Sequence, residues 1–138
     1  MGTTLSANAL SLAAMRATLE HVMADESYAH MDALAGRLGA GLSAIVRAYG
    51  LPWHVVRVGA RVEFVCAPGP LRNGTEAEAA HAPALEQAIH LALLNRGCLI
   101  APFHNMMLVS PATSAGQVDT LCRAFEAAVA SLTLPDLP

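Results

Sequence analysis

The chemistry open to this chain is bounded first by a residue type it lacks. Its basic side chains are Arg16, Arg37, Arg47, Arg57, Arg61, Arg72, Arg96 and Arg123, so the 138 residues hold no lysine. A reaction that begins with a lysine amine adding to a carbonyl cannot start within it. Histidines are more plentiful. His21, His30, His81 and His90 fall at unrelated spacings on helix-like or loop segments and read as solvated or packed side chains. His54 alternates within a strand-like run, where it is either buried or exposed. His104-Asn105 lies in a turn between two apolar runs and is the best-placed pair for lining a substrate entrance. No His/Asp/Glu set has metal-ligand spacing, and no serine or cysteine sits in a nucleophile motif. The paired acids Asp25-Glu26 and Glu76-x-Glu78 are what helix starts and solvated loops require. Cys66, Cys98 and Cys122 form no CxxC pair and read as small buried hydrophobes in a reducing compartment. Met106-Met107 reads as core filling.

Composition points to a surface that is meant to be covered. Hydrophobic residues make up 54% and charged residues 14%, the latter about half the usual share of a soluble domain. No apolar run approaches the ~20 residues of a membrane span. No basic segment leads into a short apolar one, as a secretory signal would. The net charge of −3 is small and the arginines are scattered, so nothing resembles a nucleic-acid footprint.

The elements that must position these residues follow from periodicity. Asn8 can cap an Ala/Leu-rich helix running to about Ala24 whose apolar residues go nearly all round, a pattern of a helix covered on more than one side. Met31, Leu34, Leu38, Leu42, Ile45, Val46 and Tyr49 recur at steps of three and four, which predicts a second helix, ended by Gly50 and Pro52. Gly36, Gly39 and Gly41 within it are costly and imply a close approach by another backbone. The period then changes to two. Trp53–Val58 and Arg61–Cys66, separated by Gly59-Ala60, predict a hairpin with Val62, Phe64 and Cys66 on one face. From Pro68 to Pro83 the Pro/Gly/Ala-rich chain predicts a loop without regular structure, with Asn73-Gly74 as a turn. A third helix over Ala84–Asn95, two short buried strands at Cys98–Ala101 and Met106–Val109, and a last helix opened by a Ser114/Gln117 capping box complete the order. The expectation is an α+β domain: a small, mostly antiparallel sheet covered by helices, preceded by a long interdomain helix.

The opening run Thr3-Thr4-Leu5-Ser6-Ala7-Asn8-Ala9-Leu10 resembles the Thr-Leu-Ser-x-Asn-Pro-Leu stretch of class III, fold-type I pyridoxal-phosphate-dependent aminotransferases, the group that includes glutamate-1-semialdehyde aminomutase. Asn95-Arg96-Gly97, Ile100-Ala101-Pro102 and Ser110-Pro111-Ala112-Thr113 follow in the order that family uses. The resemblance covers essentially the whole chain and implies the C-terminal portion of a larger homodimeric cytoplasmic enzyme, missing an N-terminal large domain. It implies that Thr4, assisted by Thr3 and the N–H of Leu5, helps hold the cofactor phosphate of the neighbouring subunit, as groups just ahead of a helix start can. It divides the chain into residues 1–24 (phosphate-loop remnant and interdomain helix), 25–134 (small α+β domain) and 135–138 (frayed tail). Two positions depart from the pattern. Ala9 replaces the usual proline, and the segment Phe103-His104-Asn105-Met106-Met107 lacks the arginine with which many members receive a substrate carboxylate.

With no lysine to anchor pyridoxal phosphate, the chain alone is expected to be inactive and not to bind the cofactor stably. Neither a nucleic-acid nor a membrane partner is expected. The competing expectation is a non-catalytic, stand-alone α+β module for self-association or small-ligand binding.

Overall fold

The computed structural model describes residues 8–101 and 105–133. Its elements run α1 (Ala9–His21), α2 (Asp25–Ala48), β1 (His54–Val58), β2 (Arg61–Val65), α3 (Gly74–Ala79), α4 (Pro83–Leu94), β3 (Met106–Leu108) and α5 (Ala115–Thr133). The strands form an antiparallel sheet in the order β1-β2-β3. The α+β class expected from the sequence is therefore what forms.

The core lies between the inner face of the sheet and the helices α2, α4 and α5. Leu34, Leu38, Leu42, Ile45 and Val46 of α2 are buried, as their spacing requires. Gly50, at φ 60°, lets the chain leave α2. Gly59, at φ 54°, occupies the two-residue hairpin turn where a positive φ matches the strand twist. In the hairpin Val55 faces Phe64 and Arg57 faces Val62. Val62 and Phe64 are fully buried, and Cys66 packs beside them. Phe64 lies 6.1 Å from the Trp53 ring and 4.9 Å from the Phe125 ring of α5, which ties the sheet to that helix. Ile89 and Leu93 carry α4 into the same core. The capping box of α5 forms in both directions. Ser114 N–H donates to Gln117 Oε1 at 2.8 Å, and Gln117 N–H donates to Ser114 Oγ at 3.3 Å.

Several expectations need correction. The segment from Pro68 to Pro83 contains α3. Asn73 is not a turn residue but its N-cap: its Oδ1 accepts the Glu76 N–H at 2.9 Å, and the Glu76 carboxylate reaches back to the Arg72 N–H at 2.8 Å. Cys98–Ala101 is not a strand. Only Ala101 bridges to Met106, and although Ile100 is buried in the core, its neighbour Leu99 is 77% exposed. The first helix ends at His21, before Ala24. The α2 glycines do not receive a neighbouring backbone. A Cβ on Gly41 would lie 2.7 Å from the Cys122 Sγ of α5, one on Gly39 would touch Val62 at 3.9 Å, and one on Gly36 would meet nothing within 4 Å.

α1 is set apart from this core. Asn8 caps it, its Oδ1 accepting the Ser11 N–H at 2.9 Å. None of its residues is buried, and Leu10, Leu12, Met15 and Leu19 are all exposed.

The glycine geometry yields a paired prediction. Gly36→Ala stabilises the chain by about 0.5–1 kcal/mol in urea unfolding, because helix propensity is gained at no steric cost. Gly41→Ala loses that gain to overpacking and destabilises by about 1–3 kcal/mol. Combining Gly41→Ala with Cys122→Ala restores part of the loss, a non-additivity that a double-mutant cycle reads.

Candidate functional site

A cleft of 260 Å³ opens between β2, the Leu71 segment, α3 and the start of α4, and Asn105 forms part of its wall. Sequence and local geometry explain each polar group in it. Glu63 is in the middle of β2, one position out of phase with buried Val62 and Phe64, so alternation turns it to the other face of the sheet. Its Oε2 accepts from Arg61 Nη2 at 2.5 Å. Glu86 lies in the first turn of α4, where a carboxylate is favoured by the helix dipole, and its Oε1 accepts the Ala82 N–H at 3.1 Å. His81 Nδ1 stands 3.7 Å from Glu86 Oε2. Asn105, immediately before β3, is only 6% exposed and adopts φ 48°. Asparagine tolerates this left-handed backbone better than other non-glycine residues.

The carboxylate of Glu86 is felt beneath the cleft. Burial, with the negative charge of Glu86 adding to it, pushes the Cys66 thiol up to about 12. Burial also raises Cys122, with Asp119 adding to the shift. These cysteines are protonated, inert packing groups at neutral pH.

One wall of the neighbourhood is built by close packing. His54 Nδ1–H donates to the Ala67 carbonyl at 2.7 Å, and Gly69 lies flat against the imidazole, where a Cβ would come within 2.6 Å of the ring. The other histidines are placed as solvated or packed groups. His30 donates to the Thr113 carbonyl at 2.8 Å and His21 is exposed beside Glu20. Among the described residues, no cluster of His, Cys, Asp or Glu has the geometry to hold a metal ion.

Of the candidate site residues named from the sequence, only Asn105 belongs to the described cleft, while His81, read there as a solvated or packed side chain, also lines it. Thr3, Thr4, Leu5 and His104 lie outside the described residues. Glu63, His81 and Glu86 were missed. A carboxylate at an outward strand position and another in a first helical turn are common surface features, and only the fold brings them to one cleft. The described residues do not fit a complete pyridoxal phosphate site: the chain has no lysine, and the polar lining of this cleft is chiefly carboxylate, which repels a phosphate.

Comparison with known proteins places this geometry. No family model matches the chain. A glutamate-1-semialdehyde 2,1-aminomutase of Thermus thermophilus is 35% identical over 100 residues, covering 72% of this chain and 23% of the relative. The corresponding protein of Opitutus terrae is 28% identical over 129 residues, covering 94% and 30%. The crystal structure of a glutamate-1-semialdehyde aminomutase from Pseudomonas aeruginosa, in complex with PMP, superposes with a TM-score of 0.93. It is 48% identical and covers 96% of this chain and 29% of that one. A β-phenylalanine aminotransferase from Variovorax paradoxus, 21% identical with a TM-score of 0.85, shares the fold over the whole of this chain and 32% of its own. The chain is thus similar to class III, fold-type I pyridoxal-phosphate-dependent enzymes. Within them it is similar to the glutamate-1-semialdehyde aminomutases in particular, and it spans under a third of the length of the relatives it matches.

The raised thiols set a pH dependence. A thiol held protonated in the fold but free to ionise in the unfolded chain favours unfolding as pH rises. The contribution of these thiols to stability is therefore constant up to about pH 9 and is lost from there toward 12. Urea midpoints at pH 8 and pH 10 should differ for the natural chain and converge in the Cys66→Ala, Cys122→Ala double variant.

Proposed function

We propose that this chain works as the C-terminal portion of a class III pyridoxal-phosphate-dependent aminotransferase or aminomutase. The carrying observation is the 48% identity and 0.93 TM-score over 96% of the chain with the P. aeruginosa aminomutase. Pyridoxal phosphate, when bound, supplies an electron sink for the bond broken at the amine-bearing carbon. This chain's residues serve around it. Thr4, with Thr3 and the N–H of Leu5, holds the phosphate of the neighbouring subunit's cofactor. His104 and Asn105 line the substrate entrance. The large domain supplies the lysine, so the chain alone is not catalytic, and the assembled enzyme is a cytoplasmic homodimer.

The bare surface of α1 supports this reading. A helix of 13 residues is marginal in water on its own, and this one exposes Leu10, Leu12, Met15 and Leu19 together. Those side chains seat on the large domain, and residues 1–24 form the connection to it, ahead of the small domain at 25–134 and a tail at 135–138. The same bare helix is what the competing reading, a self-associating module, would use.

A chimera tests both. The chain is joined to the preceding part of the P. aeruginosa relative at the matching position. It is expected to bind pyridoxal phosphate as a dimer, and Thr4→Ala to weaken cofactor retention by about tenfold, the loss of one charge-assisted hydrogen bond. Unchanged retention counts against the phosphate role. In hydrogen exchange α1 should be unprotected in the chain alone and protected in the chimera, whereas α2 and α5 are protected in both. A stable dimer of the chain alone with a protected α1 would favour self-association instead. Transamination by the purified chain would overturn the non-catalytic role.

A further inference from the structure

Asn73-Gly74 plays no part in the proposed function, yet its chemistry is distinctive. Of the four asparagines, Asn8, Asn73, Asn95 and Asn105, only Asn73 is followed by glycine. The others precede Ala9, Arg96 and Met106, whose side chains crowd the amide nitrogen that follows the asparagine. That nitrogen matters because it can attack the asparagine's own side-chain carbonyl. Both Asn73 and Gly74 are exposed, and a Cβ placed on Gly74 would meet nothing within 4 Å, so its nitrogen is open to close approach. Gly74 also begins α3, so its N–H is among those that a helix leaves without an intrahelical partner.

The cap holds this reaction back. Asn73 Oδ1 accepts the Glu76 N–H at 2.9 Å, and its Nδ2 donates to Glu76 Oε1 at 3.2 Å. The Glu76 carboxylate also accepts the Arg72 N–H at 2.8 Å. Attack on the carboxamide pulls it out of these bonds. The cap is weakly anchored, however. α3 has 6 residues and buries none of them, and a helix so short has little stability of its own. Segments with few buried contacts open locally at low cost, so the cap releases Asn73 while the core stays folded.

We propose that Asn73 is a site of spontaneous deamidation, with opening of the α3 cap as its gate. Hydroxide takes the Gly74 amide proton, the nitrogen bonds to Asn73 Cγ, and the Cγ–Nδ2 bond breaks. The departing nitrogen takes a proton from water and leaves as ammonia. Water then adds to one carbonyl of the cyclic imide and the C–N bond there breaks. Cleavage at Cγ gives aspartate, and cleavage at the main-chain carbonyl gives isoaspartate. The net change is amide plus water to carboxylate plus ammonium, with no change of oxidation state. Aspartate replaces the Nδ2 donor with a second anion facing Glu76. Isoaspartate adds a main-chain carbon and displaces the carbonyl that accepts the Ala77 N–H at 3.1 Å. Both products loosen the start of α3, whose Ala77 and Ala80 line the cleft. The assignment is independent of the cofactor reading, because every group lies in this chain.

The chain is incubated at pH 8, and peptide mapping by mass spectrometry follows Asn73, with Asn8, Asn95 and Asn105 as internal references. Asn73 is expected to convert to aspartate and isoaspartate ahead of all three, and Gly74→Ala to slow it to their rate. Glu76→Ala takes the carboxylate from the cap and should speed the conversion by about fivefold, the factor that loss of one capping interaction gives. In concentrated urea, where the cap is gone, the natural chain and Glu76→Ala should react at the same rate. An Asn73 no faster than Asn8, a rate unchanged or lowered by Glu76→Ala, or a difference that persists in urea would overturn the proposal. None of these results bears on whether a longer protein carrying this chain binds pyridoxal phosphate.

Discussion

Phe64 is the side chain on which the arrangement depends. It is fully buried in β2, stacks near Trp53 at an interplanar angle of 21°, and meets Phe125 of α5 at 51°. With aromatic residues only 4% of the chain, this trio is a large part of the aromatic content, and it is placed where hairpin and last helix must agree. Offset and tilted aromatic contacts add directional preference to the burial itself. Because strand residues alternate, fixing Phe64 inward fixes Val62 inward and Glu63 outward. A slip of one residue in β2 would bury the carboxylate and expose the ring. The register of the core and the presence of a carboxylate in the cleft are therefore one constraint.

Local helix-end chemistry supplies the rest of the cleft. Asn73 and Glu76 start α3, and the backbone and side-chain N–H groups of Arg72 hold the Glu76 carboxyl below its usual range. Glu86 satisfies the N–H of Ala82 at the start of α4, so its carboxylate is held by a hydrogen bond rather than by an arginine. That choice has an electrostatic consequence. A partly buried carboxylate projects its charge onto its neighbours, and Cys66 registers it.

How much of this was legible in the sequence depended on whether one face of an element was buried. The stripe of α2, the alternation of β2 and the Ser114/Gln117 box each impose a pattern that survives without tertiary context. Cys98–Ala101 carried the same apolar signature as a buried strand, but only Ala101 makes a bridge, because sheet membership depends on what lies alongside. Asn73-Gly74 carries a turn signature for a related reason: the side-chain hydrogen bond that makes a turn residue also makes an N-cap, and Glu76 three residues on is the deciding signal. Of the candidate site, Asn105 was found through its place in a turn between apolar runs. Glu63, His81 and Glu86 come from three separate elements, and nothing in the linear order marks them as neighbours.

The composition that first set this chain apart now has a location. Arg16, Arg37, Arg57, Arg61 and Arg72 are each engaged with an acid, and two of these pairs tie elements of the core together: Arg37 with Asp119 across α2 and α5, and Arg57 with Asp32 across β1 and α2. Exposed pairs of this kind add little stability, so they do not replace a hydrophobic core. Nor does the apolar excess all reside in that core. Leu10, Leu19, Val58, Leu99 and Leu108 stand in solvent, spread over α1, the hairpin end, the α4–β3 connection and the outer edge of β3. Scattered exposed leucines are ordinary, but a whole capped helix with no buried residue is not. The core can hold α2, α4, α5 and the sheet together by itself, whereas α1 has nothing in the described residues to pack on. Its apolar residues go nearly all round, the pattern of a helix covered on more than one side, and the described residues leave every side of it bare.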